Sequence, residues 1–212
     1  MAANANSALV ANEFYYKRNS KKKIALTFDD GPHPIYTKKI LDILNKYNIK
    51  ATFFIIGVNV ESYGDILYDI VSAGHEIGNH TFSHHSLKGK NAQDIEEELE
   101  NCREAIYQKC GENTTLFRPP GGIMADIEVG ESDIFEGYDI IYWSIDTHDW
   151  AHHSPQKISD YVVKNTKSGD IILMHDYIGK NSPTPAALEI MIPKLIERGF
   201  EFVTVSDLIT SN

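Results

Sequence analysis

Short apolar runs alternate along this chain with longer segments whose apolar residues recur every three or four positions. The first run is followed by a turn at Gly31 and Pro32 and then by a stripe of isoleucine and leucine with helical spacing. The same alternation predicts seven strands, at residues 24–28, 52–56, 76–79, 116–118, 140–145, 171–174 and 200–205. Strands that alternate with helices build parallel sheets. We therefore predict an α/β fold, a distorted or open (β/α) barrel of about seven parallel strands with its active site at their carboxyl ends.

Local signals indicate where several helices begin and end. Asn91 is a good N-cap for a helix that ends near Gly111. Ser154 followed by Pro155 is typical of another helix start. Residues 121–137 are acidic and carry no apolar stripe, so we predict no regular helix between the fourth and fifth strands.

Length and charge limit the number of domains and the class of partner. A chain of 212 residues suits one well-buried domain better than two, and we assign it to residues 22–209. Residues 1–21 are expected to be an N-terminal extension or a cloning remnant. The net charge of −10 and the pI near 5.3 argue against the basic surface that nucleic acids and anionic membranes bind, so we expect neither partner.

The apolar runs and the two cysteines carry no sign of a membrane span or a disulfide. No uninterrupted apolar run approaches the length of a span, and the first twenty residues lack the apolar core of a secretory signal. Cys102 and Cys110 lie eight positions apart on one predicted helix, which places their Cα atoms about 12 Å apart. This distance is too long for a disulfide, so we expect free thiols. We also expect the protein to be a monomer.

Two histidines with metal-ligand spacing follow the third predicted strand. His80 and His84 are four positions apart, so on a helical turn both imidazoles face the same way. Two histidines and one carboxylate form a common catalytic site for Zn²⁺ or Fe²⁺. Without a carboxylate as third ligand, two polar residues in an exposed loop are the better explanation of the pair.

Adjacent aspartates at the end of the first predicted strand can supply that carboxylate. Successive side chains on a strand point to opposite faces, so Asp29 and Asp30 can take different roles, one as a metal ligand and one as a base. The alternative interpretation is an ordinary Asp-Asp-Gly-Pro turn.

Three other predicted strands end at residues that suit catalysis. Residues 118–122 place Arg118 before two prolines and two glycines, which let a substrate approach main-chain N–H groups. Asp149 and Trp150 can orient a histidine and wall an apolar pocket, while His175 emerges from a buried strand. The alternatives are a plain surface loop at residues 118–122, a solvated carboxylate at Asp149 and a core histidine at His175. Together these alternatives require several separate coincidences at one predicted edge of the sheet.

These segments resemble the five motifs of the polysaccharide deacetylases, the NodB-like domains of carbohydrate esterase family 4. The resemblance covers about residues 22–209 and keeps the family order. The segments are residues 27–30 (Thr-Phe-Asp-Asp), 80–84 (His-Thr-Phe-Ser-His), 118–122 (Arg-Pro-Pro-Gly-Gly), 146–150 (Asp-Thr-His-Asp-Trp) and 173–175 (Leu-Met-His).

The resemblance implies a metal site and an acid/base pair. It implies that Asp30, His80 and His84 bind the metal, that Asp29 is the base that activates the attacking water, and that His175 protonates the leaving amine. A base beside a cation should stay ionised at neutral pH, and a histidine paired with a carboxylate should have a raised pKa. Such a pair would give kcat/KM a bell-shaped pH profile.

The resemblance also implies supporting roles for five further residues. Arg118 would steady the base, and Asp149 would pair with the catalytic histidine. The backbone N–H of Gly121 would stabilise the oxyanion, while Trp150 and Leu173 would line the acetyl pocket. Gly121 stands where many family members have an aromatic residue, which removes one wall of the substrate groove.

The function implied is that of a metal-dependent hydrolase acting on carbon–nitrogen bonds other than peptide bonds. Its substrate would be a polysaccharide containing N-acetylglucosamine, such as peptidoglycan or chitin, which places the protein outside the cell or on its surface, with the export signal absent from this sequence. We expect one divalent ion, zinc ahead of cobalt, manganese, nickel or iron. An acetylxylan O-deacetylase would use the same site, and a non-catalytic carbohydrate-binding relative would keep only the groove. Four more histidines near the predicted edge are candidates for a substrate contact or an adventitious metal ligand: His33, His148, His152 and His153.

Overall fold

Short strands and α-helices alternate through the computed structural model, which describes residues 11–125 and 132–211. The strands are Asn12–Phe14 (β1), Lys23–Gly31 (β2), Thr52–Ile55 (β3), Glu76–Asn79 (β4), Leu116–Phe117 (β5), Asp139–Ile141 (β6), Ile145–Asp146 (β7), Ile171–His175 (β8) and Glu201–Phe202 (β9). The α-helices are Tyr36–Lys46 (α1), Gly57–Tyr63 (α2), Asp65–Ser72 (α3), Ala92–Cys110 (α4), Pro155–Asn165 (α5), Thr184–Glu197 (α6) and Val205–Ile209 (α7).

The strands form one parallel sheet that curls into an open barrel, which confirms the predicted fold class. Their order is β1-β6-β5-β4-β3-β2-β8-β7, and β9 pairs with the first residues of β2. The edge strands at the opening are β1 and β7, and β6, which pairs with β1, is followed directly by β7 in the chain. Residues 142–144 therefore carry the backbone from one side of the opening to the other: Tyr142 donates its N–H to Phe14, and Ser144 donates to Ile171.

Strand β2 shows how the sequence pattern places the site inside this barrel. Ile24, Leu26 and Phe28 are fully buried in the layer between the sheet and the helices. Because side chains alternate along a strand, the intervening residues Thr27 and Asp29 face the barrel interior. Both faces of the strand are covered, which explains its nearly continuous apolar sequence.

Most predicted elements are confirmed, and the differences lie at the sheet edges. The predicted strand at residues 140–145 is two strands, β6 and β7, because no single straight strand can pair with both sides of the opening. The predicted strand at residues 200–205 is shorter, since Val205 begins helix α7. Strand β1 was not predicted; it lies in the segment assigned to an N-terminal extension, and the domain boundary at residue 22 stays a prediction.

The predicted helix ends are also confirmed. The Asn91 side chain accepts the Asp94 N–H at the start of α4, and Gly111 adopts a left-handed conformation at its end. Ser154 caps α5 in the same way. Cys102 and Cys110 are free thiols. None of the described helices is long and apolar enough to cross a membrane.

The segment between β5 and β6 has no α-helix in its described residues, in agreement with the prediction. It contains two 3-10 turns, at Pro120–Gly122 and Ser132–Phe135. Three of the acidic residues of this segment, Asp126, Glu128 and Glu131, lie outside the described residues.

Candidate active site

The carboxyl end of β2 places two carboxylates beside a histidine from the neighbouring strand. Asp29 is paired in register with His175 of β8, so their side chains share the interior face of the sheet. Asp30 would face the opposite side of a regular strand. Its backbone instead has a φ of 71°, and the pairing with β3 shifts between Phe28 and Gly31. This irregularity turns both aspartates towards the same pocket.

Asp30, His80 and His84 form a cluster that can hold a metal ion. The Asp30 Oδ1 atom lies 3.5 Å from Nε2 of His80 and 3.1 Å from Nε2 of His84. These three ligand atoms are within 4.8 Å of one another. Ligand atoms around a tetrahedral zinc ion are about 3.3 Å apart, so the spacing fits such an ion.

The hydrogen bonds of this cluster also fit a bound cation. The Nδ1 atom of His80 donates to the carbonyl of Arg118 at 2.7 Å, which leaves the Nε2 lone pair facing Asp30. Asp30 Oδ1 is buried and makes no hydrogen bond of acceptable geometry within the described residues. Burial acts to raise the pKa of Asp30, but the close approach of the two imidazoles holds it well below its usual range. The side chain is therefore anionic at neutral pH, as a ligand for a cation should be.

Arg118 is fully buried in the barrel interior and holds Asp29. Its Nη1 atom donates to Asp29 Oδ1 at 2.7 Å and to the Thr27 hydroxyl at 2.8 Å. The remaining donors reach the carbonyls of Ile141 and Tyr142 at 2.9 and 3.0 Å, where the chain starts to cross the barrel opening. A single guanidinium thus fixes the orientation of the carboxylate and donates to two buried backbone carbonyls.

A second buried carboxylate holds His175. Asp149 accepts the Nδ1–H of His175 at 2.7 Å and its backbone N–H at 2.8 Å. It also accepts the Thr184 hydroxyl and the Trp150 N–H, so both carboxylate oxygens are fully used. Burial alone would lower the pKa of His175, but the hydrogen bond and charge of Asp149 raise it to about 9. The ring is protonated at neutral pH, as expected for an acid.

The pocket above these groups has a volume of about 370 Å³. Gly121, with a φ of 62°, forms one edge, and Trp150 and Leu173 form part of the wall. Trp143 also lines the pocket and was missed in the sequence analysis. A Cβ on Gly122 would come within 2.6 Å of this indole, so the second glycine of the loop lets the ring pack beneath it.

The structure brings the ten predicted site residues together. Eight of them line the pocket, and the other two, Arg118 and Asp149, lie behind it and bind Asp29 and His175. Asp146 lines the pocket as well and accepts the indole N–H of Trp150 at 3.2 Å. The contact of Thr184 with Asp149 was not predicted, because a threonine at the first residue of a helix indicates only where the helix begins.

Asp176, next to His175, is a further buried carboxylate that the sequence analysis missed. Its Oδ2 atom accepts the Thr37 hydroxyl at 2.5 Å and occupies the space that a Cβ on Gly31 would need. Burial raises the pKa of Asp176 to about 7. The glycine after the two aspartates is thus required by close packing against this carboxylate.

Comparisons with known proteins agree with this geometry. A family model described as polysaccharide deacetylase matches residues 16–129. The chain is 43% identical over 196 residues to a peptidoglycan-N-acetylglucosamine deacetylase of Bacillus cereus, and the match covers 90% of each protein.

Two solved structures have similar folds. One is the Bc1960 peptidoglycan N-acetylglucosamine deacetylase in complex with a hydroxamate-type benzamide, with a TM-score of 0.86, 33% identity and 94% of each chain covered. The other is a family 4 acetyl xylan esterase from Clostridium thermocellum in complex with a cobalt ion, with a TM-score of 0.81 and 35% identity. That match covers 89% of this chain and 91% of the esterase.

Proposed function

This chain belongs to the polysaccharide deacetylase family, and we propose that it removes acetyl groups from N-acetylglucosamine units of a polysaccharide of the peptidoglycan or chitin type. The observation that carries this proposal is the pairing of Asp29 with His175 in one pocket with the three candidate metal ligands. Each member of the pair has its own buried partner, Arg118 for the carboxylate and Asp149 for the imidazole. A base and an acid with separate partners suit amide hydrolysis better than carbohydrate binding alone.

The residues of this chain supply each proton transfer in the proposed reaction. Asp29 takes a proton from the water that attacks the acetyl carbon. The N–H of Gly121, which makes no backbone hydrogen bond within the described residues, donates to the developing oxyanion. His175 then gives its proton to the amide nitrogen as the carbon–nitrogen bond breaks. The products are acetate and a free amino sugar.

We propose that the metal ion is zinc, held by Asp30, His80 and His84. A divalent cation supplies Lewis-acid polarisation of the carbonyl and lowers the pKa of water. Two imidazoles and one carboxylate suit zinc, although cobalt, manganese, nickel and iron accept the same ligands. Elemental analysis of protein purified without added metal tests the choice.

Acetate release from defined polymers tests the function. We expect acetate from N-acetylglucosamine oligomers or from peptidoglycan, and little from acetylated xylan. Release only from xylan would identify an O-deacetylase, as in the Clostridium relative. Saturable binding of oligosaccharide with no acetate from any substrate, at full metal occupancy, would identify a non-catalytic carbohydrate-binding protein.

Removal of the metal is expected to abolish acetate release and to lower the melting temperature by roughly 5 °C or more, because an ion that binds only the folded state stabilises it. Replacing His84 with alanine should have the same two effects, and added zinc should restore the wild type alone. The matched control is His85→Ala, since His85 is an exposed neighbour outside the cluster and contacts Ser83. If His84→Ala and His85→Ala lose acetate release and melting temperature to the same extent, the assignment of the metal site is contradicted.

The ion pair between Asp149 and His175 is expected to set the alkaline limit of activity. The acid works only when protonated, so kcat/KM should fall as the pH rises through the pKa of His175. Replacing Asp149 with asparagine removes the charge that raises this pKa, and the alkaline midpoint should move to lower pH by roughly 1 to 3 pH units. The same pair stabilises the fold below about pH 6.5, and its contribution disappears as the pH rises through about 9.

Thr184→Val is the control for the pH profile. It removes one hydrogen bond to Asp149 and leaves the charge in place, so the midpoint should stay near that of the wild type. An alkaline midpoint that Asp149→Asn does not move would show that another group sets the limit.

We propose that the protein acts outside the cell or at its surface, where peptidoglycan and chitin lie. This follows from the proposed substrate alone. Fractionation of producing cells would test it, and enzyme found only in the cytoplasm would contradict it.

A further inference from the structure

Four aromatic rings cluster on the protein surface beside the pocket. We call them the aromatic platform: His33, Tyr36, Tyr63 and Tyr177. The imidazole of His33 stacks on the ring of Tyr177 with 4.2 Å between centroids and 14° between planes. Tyr36 lies 5.7 Å from Tyr177, and Tyr63 lies 6.4 Å from His33. Tyr63 and Tyr177 are 41% and 38% exposed, so large ring surfaces remain open to solvent.

The platform adjoins the catalytic groups through two short pieces of chain. Tyr177 follows His175 by two residues, which keeps their Cα atoms within about 8 Å. His33 follows Asp30 by three residues. None of the platform residues lines the pocket itself, so the platform is a separate surface at the same carboxyl edge of the sheet.

Hydrogen bonds hold the platform in place before any ligand binds. The Tyr36 hydroxyl accepts the N–H of Asn181, which ties α1 to the loop after β8. The Nδ1 atom of His33 accepts the N–H groups of Ile35 and Tyr36 at 3.2 Å each. Rings that are fixed in advance lose little conformational freedom when a ligand binds.

His33 adds a polar donor to these apolar faces. Its Nδ1 is an acceptor, so in the neutral ring Nε2 carries the hydrogen. Burial lowers the pKa of His33, which favours this neutral form. The described residues provide no hydrogen-bond acceptor for Nε2. Stacked ring faces with a few polar donors at the edge match a pyranose, which has apolar C–H faces and a rim of hydroxyl groups.

We propose that the aromatic platform is a subsite for a sugar ring of the substrate chain, next to the unit that is deacetylated. This inference rests on the proposed function, because it requires a polysaccharide in the pocket. It predicts that the enzyme prefers longer oligomers, whose extra rings reach the platform.

The test compares N-acetylglucosamine oligomers from the dimer to the hexamer. Tyr177→Ala should lower kcat/KM about tenfold on the pentamer, mainly through KM, and less than about threefold on the dimer. Tyr177→Phe keeps the ring and should restore most of the loss. The matched control is Tyr107→Ala: Tyr107 is 52% exposed near the end of α4, at the opposite edge of the sheet, and should change neither substrate.

Oligomer binding, measured by calorimetry, separates the two proposals. In an Asp29→Asn background, Tyr177→Ala should weaken pentamer binding about tenfold, whether or not acetate is released. Acetate release by the wild type, combined with equal effects of Tyr177→Ala on dimer and pentamer, would overturn the platform and leave the function standing. If the wild type neither binds the pentamer nor releases acetate, both the platform and the proposed function are overturned.

Discussion

Replacing Asp29 with asparagine is expected to lower kcat by about 10²- to 10⁴-fold, the range attributed to a positioned general base. Asparagine has nearly the same shape and keeps an oxygen that can accept from Arg118. The amide cannot take a proton from water at neutral pH. The variant should therefore lose turnover while it still binds substrate, so that kcat falls much more than KM changes.

The control for this prediction is Asp160→Asn, an aspartate on the exposed surface of α5. It should leave kcat and KM within about twofold of the wild type. Zinc content and circular dichroism show whether the Asp29 variant keeps its metal and fold. Full activity of metal-loaded Asp29→Asn protein would refute the role of this residue as the base.

Replacing Arg118 with methionine is expected to reduce the free energy of unfolding by about 3–5 kcal/mol, the cost of breaking a buried ion pair. Asp29 would lose its guanidinium partner, and the carbonyls of Ile141 and Tyr142 would lose these donors. For a domain of this size, the melting temperature should fall by roughly 10 °C. Activity should fall as well, because Asp29, the proposed base, is no longer oriented.

Urea denaturation measures this loss. Arg103→Met removes a partly exposed arginine that pairs with Glu100 on α4, and it should change stability by no more than about 0.5 kcal/mol. The double variant Asp29→Asn with Arg118→Met should be less destabilised than the sum of the single variants, since the first change removes the charge that the second leaves unpaired. Additive losses would show that the two side chains do not act as a pair.

The sequence predicts the barrel well because its strands are buried on both faces. Such strands appear as continuous apolar runs, and β2, β3 and β8 are found from this property alone. Strand β1 has three residues, none of them buried, so no local pattern marks it; its pairing with β6 defines it. The break between β6 and β7 is not visible in the sequence either, because the residues on both sides of the break are apolar.

The site was predicted from motifs at strand ends. The structure adds the backbone conformations and the tertiary contacts, which motifs do not specify. Spacing along the chain indicates that Asp30 and His84 can meet, but the left-handed backbone at Asp30 that makes this contact is not visible in the sequence. Thr184 and Trp143 reach the site from a helix start and from the crossing segment. Their contacts depend on tertiary packing, which no local pattern encodes.

The pairing of β2 with β8 has a consequence for biosynthesis. Thr27 contacts Ile172, which is 145 positions later in the sequence, and Asp29 meets His175 in the same ladder. Contacts between such distant residues form slowly, because a long loop must close before they are made. During translation Asp29, the proposed base, is made well before His175, the proposed acid. We therefore expect activity only after β8 has been synthesised, and truncated chains that end before β8 should be inert.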